Sequence, residues 1–129
     1  MRIVPLDQPI SRQSIFISSD NLIVGRAWDS GFCQIMMPTV AIVELWWPAI
    51  GRGCGCYFQA NLWDFAGSWA IFRAAGLGLR AFPSGEMMDR LDASFFQGPG
   101  GPKPWYLRSP YILSSARNYP LICAHIRPQ

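Results

Sequence analysis

The chain has 129 residues, enough for one globular domain, and its 50% hydrophobic and 15% charged residues exclude a disordered protein. A formal charge of +3 at pH 7 excludes a polycation, and the single histidine, His125, excludes a metal centre with several histidines from one chain. The longest stretch without a charged residue, 30–43, is shorter than the roughly 20 apolar residues of a membrane-spanning helix. Asp7 interrupts the apolar core that a signal peptide needs. We therefore expect a cytoplasmic or otherwise intracellular protein with reduced cysteines.

Short segments rich in Ile, Phe and Val predict that the first half of the chain consists of strands. These segments are residues 14–19, 21–28, 31–37, 39–47 and 56–63. The nearly apolar segment 39–47 would suit a central strand buried on both faces. Its periodicity also fits a helix, but its Val and Ile content and the proline at each boundary favour a strand.

Two helices are predicted next, at about residues 64–80 and 84–96. Apolar residues recur at helical spacing in the first helix, with Asn61 or Asp64 as its N-cap, although Gly76 and Gly78 weaken its second half. The second helix begins after Ser84 and has an apolar face and a charged face.

The chain continues with a loop rich in glycine and proline at residues 97–104. Two further strands are predicted at 105–113 and 121–126. This order predicts an α+β fold in which both helices pack on one face of a largely antiparallel sheet. We expect one domain overall, with a core of residues 1–97 and a basic aromatic C-terminal arm, residues 98–129, that returns to it.

Two short cysteine-containing pairs suggest a metal site. Residues two apart on a strand share a face, so Cys54 with Cys56, and Cys123 with His125, would each present two ligands side by side. Three thiolates and one imidazole suit structural zinc, although one intervening residue is fewer than closed zinc sites usually have. The alternative is that these cysteines are small core residues and that no cofactor is bound.

Catalytic groups are sparse. His125 is the sole histidine available as a base, and no serine lies in a Gly-x-Ser-x-Gly motif. Asp89 and Asp92 suit a solvated helix surface. Glu44 and Asp64 lie beside aromatic residues, and burial there would raise their pKa values, so these two acids are the first candidates for catalysis.

The C-terminal arm combines positive charge with aromatic rings. After residue 98 the sequence contains four basic residues and no acidic residue. Basic side chains between aromatic rings can hold phosphates and stack bases, as in proteins that bind single-stranded nucleic acid. Two adjacent tryptophans on a strand would point to opposite faces, and one of them would need a partner to cover it. The predicted partner-binding residues are Trp46, Trp47, Trp105, Tyr106, Arg108, Tyr111 and Arg117.

These observations predict a tryptophan-rich and arginine-rich interaction protein that is not an enzyme. It would be a small subunit of a larger assembly or a protein-docking module, and its partner would be another protein or a second copy of the chain. An RNA- or DNA-binding module that uses the basic aromatic arm is the first alternative. A small zinc- or thiol-dependent protein that uses Cys54, Cys56, Cys123 and His125 is the second.

Overall fold

The structure is a computed structural model and describes residues 10–18, 26–28, 33–36 and 41–128. The strands in this part of the chain are β1 (Ile15–Ser18), β2 (Arg26–Trp28), β3 (Gln34–Met36), β4 (Gly55–Phe58), β5 (Gly78–Ala81), β6 (Tyr111–Ser114) and β7 (Ile126–Pro128). The α-helices are α1 (Ala41–Ala49), α2 (Leu62–Phe65), α3 (Trp69–Ala74) and α4 (Asn118–His125). Short 3₁₀ turns occur at Ala66–Ser68 and Ala93–Phe95.

Five of these strands form one sheet in the order β3-β1-β4-β6-β5, and β2 pairs with β7 in a separate two-stranded sheet. Strand β1 is parallel to both β3 and β4. Strand β6 is antiparallel to both β4 and β5. The predicted α+β class is confirmed, and the sheet is mixed rather than largely antiparallel.

The two faces of the five-stranded sheet bury different clusters. Alternate side chains of β4 show the division, because Cys56 and Phe58 lie in one apolar cluster and Tyr57 lies in the other. Residues of α1, α2 and α3 join the first cluster, whereas Ile122 of α4 joins the second. The sheet is therefore covered by three helices on one face and by α4 on the other.

The prediction of a strand at residues 39–47 is wrong, because the described part of this segment, residues 41–47, lies in helix α1. Leu45 and Ala49, one helical turn apart, are both buried in the cluster on the α1 face. An apolar run without alternation is compatible with either structure, and packing on the sheet decides in favour of the helix here. Pro48 lies inside this helix, near its end, where its nitrogen cannot donate a hydrogen bond to the preceding turn.

The prediction of a helix at 84–96 is also wrong. Within this segment the structure has only the short 3₁₀ turn, and residues 86–88 are hydrogen-bonded to β5 instead. The N–H of Met88 donates to the carbonyl of Leu79, and the N–H of Ala81 donates to the carbonyl of Glu86. Backbone pairing with a neighbouring strand therefore overrides the helical spacing of the apolar residues.

The remaining predictions are met in part. The predicted helix at 64–80 corresponds to α2, a 3₁₀ turn and α3, and it ends before Gly76, which has φ +77°. The strand predicted at 121–126 is wrong, since residues 118–125 are helical. The strand predicted at 105–113 begins only at residue 111. Parts of the strands predicted at 14–19, 21–28 and 31–37 lie outside the described residues, and β1, β2 and β3 occupy the described parts.

Strand β6 belongs to the predicted C-terminal arm and pairs with β4 and β5. The division into a core and an arm stays a prediction. Within the described residues, no helix combines the length and the apolar character needed to cross a membrane.

The packing around β4 leaves little space for a side chain at Gly55. A Cβ atom at this position would lie 2.9 Å from Cδ1 of Ile122 and 3.0 Å from the carbonyl oxygen of Leu113. Because the latter is a backbone atom, we expect Gly55→Ala to lower the free energy of unfolding by about 1–3 kcal/mol. Gly67→Ala is the matched control, since a Cβ there would meet nothing within 4 Å. Urea denaturation of both variants checks this, and equal stabilities would contradict the packing.

Candidate functional site

The end of β4 leads directly to an acidic side chain at the protein surface. After Phe58 the chain continues through residues 59–60 to Asn61, the N-cap of α2. The N–H of Asn61 donates to Oδ2 of Asp64 over 3.0 Å, and the N–H of Asp64 donates to the carbonyl of Asn61. A carboxylate in the first turn of a helix satisfies otherwise unpaired N–H groups there. One oxygen of Asp64 is thereby fixed in place.

A second segment, residues 103–107, lies against this turn. The N–H of Leu62 donates to the carbonyl of Trp105 over 2.9 Å, and the N–H of Leu107 donates to the carbonyl of Ala60 over 3.0 Å. Trp105 has φ +62°, a left-handed conformation that costs a residue with a side chain about 1–2 kcal/mol. Its own N–H donates to the carbonyl of Gln97, so hydrogen bonds on both sides of Trp105 hold this conformation.

Tyr106 lies between the acidic turn and a lysine. Its hydroxyl donates to the carbonyl of Gln59 over 3.1 Å. Burial, and then the negative charge of Asp64, raise the pKa of Tyr106. The Nζ atom of Lys103 lies 4.9 Å from the centre of the Tyr106 ring, a cation–π contact. We call this group, Gln59, Asn61, Asp64, Lys103 and Tyr106, the Asp64 site.

The negative charge of Asp64 has no ion-pair partner among the described residues. Two exposed tryptophans, Trp63 and Trp105, are sequence neighbours of Asp64 and Tyr106. Arg90 and Asp92 form an ion pair elsewhere, and no cation of the described residues lies within ion-pair distance of Asp64. Trp63 is 66% exposed, and Trp105 is 37% exposed. A carboxylate can accept hydrogen bonds from hydroxyl groups or water, and a nearby lysine can attract an anionic ligand.

Sequence reasoning found part of this site. Asp64 was one of the two candidate acids, and Trp105 and Tyr106 were among the predicted binding residues. Glu44, the other acid, lies in α1, but the structure does not describe its side chain. Gln59 was missed, because its place in the site depends on a contact with Tyr106, 47 positions along the chain.

Several other predicted binding residues are occupied with internal packing. Trp46 and Trp47 are half-buried against the core, and Nε1 of Trp46 donates to Oγ of Ser68 over 2.8 Å. The expectation that one of these indoles faces outward is wrong because the segment is a helix and not a strand. Tyr111 is only 3% exposed.

The basic residues of the predicted set remain at the surface. Arg108 and Arg117 are exposed, and Nε of Arg108 donates to the carbonyl of Phe96 over 2.8 Å. Contact of these two arginines with a partner stays a prediction.

The structure does not bring the four proposed zinc ligands together. Cys54 precedes β4 and lies in the cluster on the α4 face, whereas Cys56 lies in the cluster on the opposite face. Cys123 and His125 are in helix α4, where residues two apart point about 200° away from each other around the axis. The strand geometry behind the zinc hypothesis is therefore wrong. In the part of the chain that the structure describes, no three metal-ligating side chains form a group.

A solved structure shares this fold. It is the crystal structure of SaIMPase-II with inositol monophosphate bound, which superposes with a TM-score of 0.59 at 19% sequence identity. The match covers 95% of this chain and 45% of SaIMPase-II, so the chain spans less than half the length of that protein. No protein-family model and no curated protein sequence matches the chain.

This likeness corrects the functional predictions. The chain was predicted to be a non-catalytic assembly or docking protein and not an enzyme, with nucleic-acid binding and a zinc or thiol protein as alternatives. Its fold is similar to that of an inositol monophosphatase over almost its full length, and that similarity contradicts the predicted functional class. The aromatic content that suggested an interaction surface is used largely in packing, as Phe16, Tyr57, Phe65, Phe72 and Phe96 show.

The effect of the Asp64 charge on the pKa of Tyr106 can be measured directly. In Asp64→Asn the amide oxygen can still accept the hydrogen bond from Asn61, but the negative charge is gone. We therefore expect the pKa of Tyr106 to fall toward its ordinary value of about 10, while burial keeps it somewhat above that value. Titration of the tyrosine ring carbons by NMR measures this shift. An unchanged Tyr106 pKa would contradict the electrostatic contact.

Proposed function

We propose that the chain is part of a phosphomonoester hydrolase and that its substrate is a phosphorylated polyol of the inositol monophosphate class. The observation that carries the proposal is the similarity of its fold, over 95% of the chain, to a protein that holds inositol monophosphate. The Asp64 site is the part of the chain that we assign to this activity, because Tyr106 there lies within the electrostatic influence of the Asp64 carboxylate and carries Lys103 over its ring.

The charges near the site suit such a substrate. A phosphate monoester is an anion. Lys103 belongs to the segment 103–107 that lies against α2, and Arg108 directly follows that segment. Both residues are exposed, and no acidic residue follows Asp92 in the sequence. Lysine and arginine are the side chains that bind phosphate in proteins, lysine as a point charge and arginine through a fork of donors. The basic arm would therefore attract the substrate.

The carboxylate of Asp64 can form hydrogen bonds with the polyol part of the substrate and with the water that attacks the phosphate. Oδ2 of Asp64 accepts the backbone hydrogen bond, and no hydrogen bond from the described residues reaches Oδ1. This second oxygen can accept from a polyol hydroxyl or from water. In hydrolysis a water oxygen bonds to phosphorus and the bond from phosphorus to the ester oxygen breaks. Asp64 would orient that water and take its proton, while the leaving alcohol gains a proton.

The described residues do not fit a complete metal centre. Magnesium at phosphate sites takes one or two carboxylates together with oxygens of the substrate phosphate. Asp64 is one such carboxylate, and among residues 10–18, 26–28, 33–36 and 41–128 no group of three metal ligands exists. Asp64 could contribute one carboxylate to such a site. The chain spans 45% of SaIMPase-II, and the Asp64 site is the one site that we assign to it.

We further infer that the protein works in a reducing compartment. The cysteines carry thiols and no disulfide joins any of them, which agrees with that environment.

The experiment compares Asp64→Asn with Asp89→Asn, which changes an exposed acid outside the site in the same way. We expect the wild-type chain to bind inositol monophosphate in calorimetry and to release inorganic phosphate from it when magnesium is present. Phosphate release should fall by about 100-fold in Asp64→Asn, the range for loss of a general base, and should be unchanged in Asp89→Asn.

Circular dichroism of both variants confirms that they fold. Absence of both binding and phosphate release in the wild-type chain would overturn the proposed function. An equal loss in the two variants would overturn the role of Asp64.

A further inference from the structure

Arg80 and Met87 lie directly opposite each other on two neighbouring extended segments. Arg80 belongs to β5 and forms an antiparallel bridge with Met87. Next to this bridge, the N–H of Ala81 donates to the carbonyl of Glu86 over 2.9 Å. Residues opposite each other in an antiparallel pair have their side chains on the same face. The backbone therefore holds these two side chains next to each other.

The side chains of Arg80 and Met87 contact each other over Gly78. Nη2 of Arg80 donates to the Met87 sulfur, Sδ, over 3.9 Å. A Cβ atom at Gly78 would lie 2.9 Å from Nη1 of Arg80 and 3.0 Å from Cε of Met87. The guanidinium and the end of the Met87 side chain therefore share the space that a side chain at Gly78 would occupy.

The Arg80 guanidinium lacks a strong hydrogen-bond acceptor. Its Nη1 atom is buried and has no hydrogen-bond partner among the described residues. No carboxylate in this part of the chain lies within ion-pair distance of Arg80, and Cζ of Arg80 lies 5.7 Å from the centre of the Tyr119 ring. A thioether sulfur is a weak acceptor, and a buried donor without an acceptor destabilises the folded state. An oxygen acceptor on the Met87 sulfur would therefore stabilise the folded chain.

Met87 is accessible to small oxidants. It is 44% exposed, and it lines an open groove of about 350 Å³ together with Asp89 and Asp92. Two other methionines provide internal comparisons. Met88 is only 1% exposed, and Met36, in β3 at the other edge of the sheet, is 37% exposed. Met36 therefore resembles Met87 in exposure but lies far from Arg80.

We propose that Met87 is a site of reversible oxidation and that the Arg80 guanidinium binds the oxygen of its sulfoxide. With hydrogen peroxide as the oxidant, a lone pair of Sδ attacks one peroxide oxygen, an S–O bond forms and the O–O bond breaks. The leaving hydroxide takes the proton of the transferred oxygen and becomes water. The sulfur supplies the two electrons that reduce the peroxide, and a thiol-dependent methionine sulfoxide reductase restores the thioether.

Arg80 changes the usual consequence of this modification. Methionine oxidation commonly disrupts packing, because it makes an apolar side chain polar. The Met87 side chain has three rotatable bonds, which allow the new oxygen to turn toward the guanidinium. A hydrogen bond from a charged donor is stronger than one between neutral groups. Oxidation of Met87 therefore strengthens the link between β5 and residues 86–88.

The test compares the full wild-type chain with Met87→Leu, which puts an apolar side chain of similar volume at the exposed position. Both chains are treated with hydrogen peroxide, and NMR of ¹³C-labelled methionine methyl groups follows each methionine. We expect Met87 and Met36 to become sulfoxides in the folded wild-type chain while Met88 stays reduced. The guanidinium N–H signals of Arg80 should shift on treatment of the wild-type chain and stay unchanged in Met87→Leu.

Urea denaturation measures the stabilising effect. The other methionines oxidise alike in both chains, so any difference in the effect of peroxide belongs to Met87. Treatment should raise the folding equilibrium constant of the wild-type chain by about tenfold relative to its effect on Met87→Leu, as expected for one hydrogen bond to a charged group. This gain should disappear when Arg80→Leu is present in both chains.

The NMR measurements on the wild-type chain do not depend on any variant folding. A Met87 thioether that stays reduced while Met36 is oxidised would overturn the oxidation site. Arg80 signals that do not change when Met87 is oxidised, or an equal effect of peroxide on the stability of wild type and Met87→Leu, would overturn the role of Arg80. The site shares no residue with the Asp64 site, so these outcomes leave the proposed function unaffected.

Discussion

Burial of β4 on both faces is the constraint on which the rest of the structure depends. All four of its residues are buried, and it joins the parallel part of the sheet at β1 to the antiparallel part at β6. Cys56 and Phe58 contribute to the cluster under α1–α3, while Gly55 and Tyr57 face α4. Strand β4 has an apolar cluster on each face and a paired strand on each side. Only one register buries its side chains in both clusters, so the positions of its two ends are fixed.

The proposed substrate site lies at one of these fixed ends. After β4 the backbone turns at Asn61 into α2 and presents Asp64 against the segment of Tyr106. The register of β4 therefore determines where the proposed site lies.

Local sequence patterns predict the secondary structure correctly where tertiary contacts favour the same structure. Strand β1 lies where the sequence predicts a strand, and α3 ends before Gly76, one of the two glycines expected to weaken the predicted helix. The choice of Asp64 as a candidate acid stays a prediction. The predictions failed where contacts distant in sequence decide the structure. Residues 86–88 pair with β5 although their apolar spacing is helical, and Gln59 meets Tyr106 across 47 positions. The functional class could not be predicted either, because one carboxylate among ordinary surface acids carries no local signature.

We place the proposed binding of a phosphorylated polyol at the Asp64 site. NMR titration of the isotope-labelled chain with inositol monophosphate tests this most directly, since backbone amide shifts report where the ligand binds. We predict shift changes concentrated at residues 59–64 and 103–108, the two segments joined by the hydrogen bonds of Leu62 and Leu107. Changes confined to another surface, such as that of Glu86, Asp89 and Asp92, would contradict it, as would a spectrum that the ligand leaves unaltered.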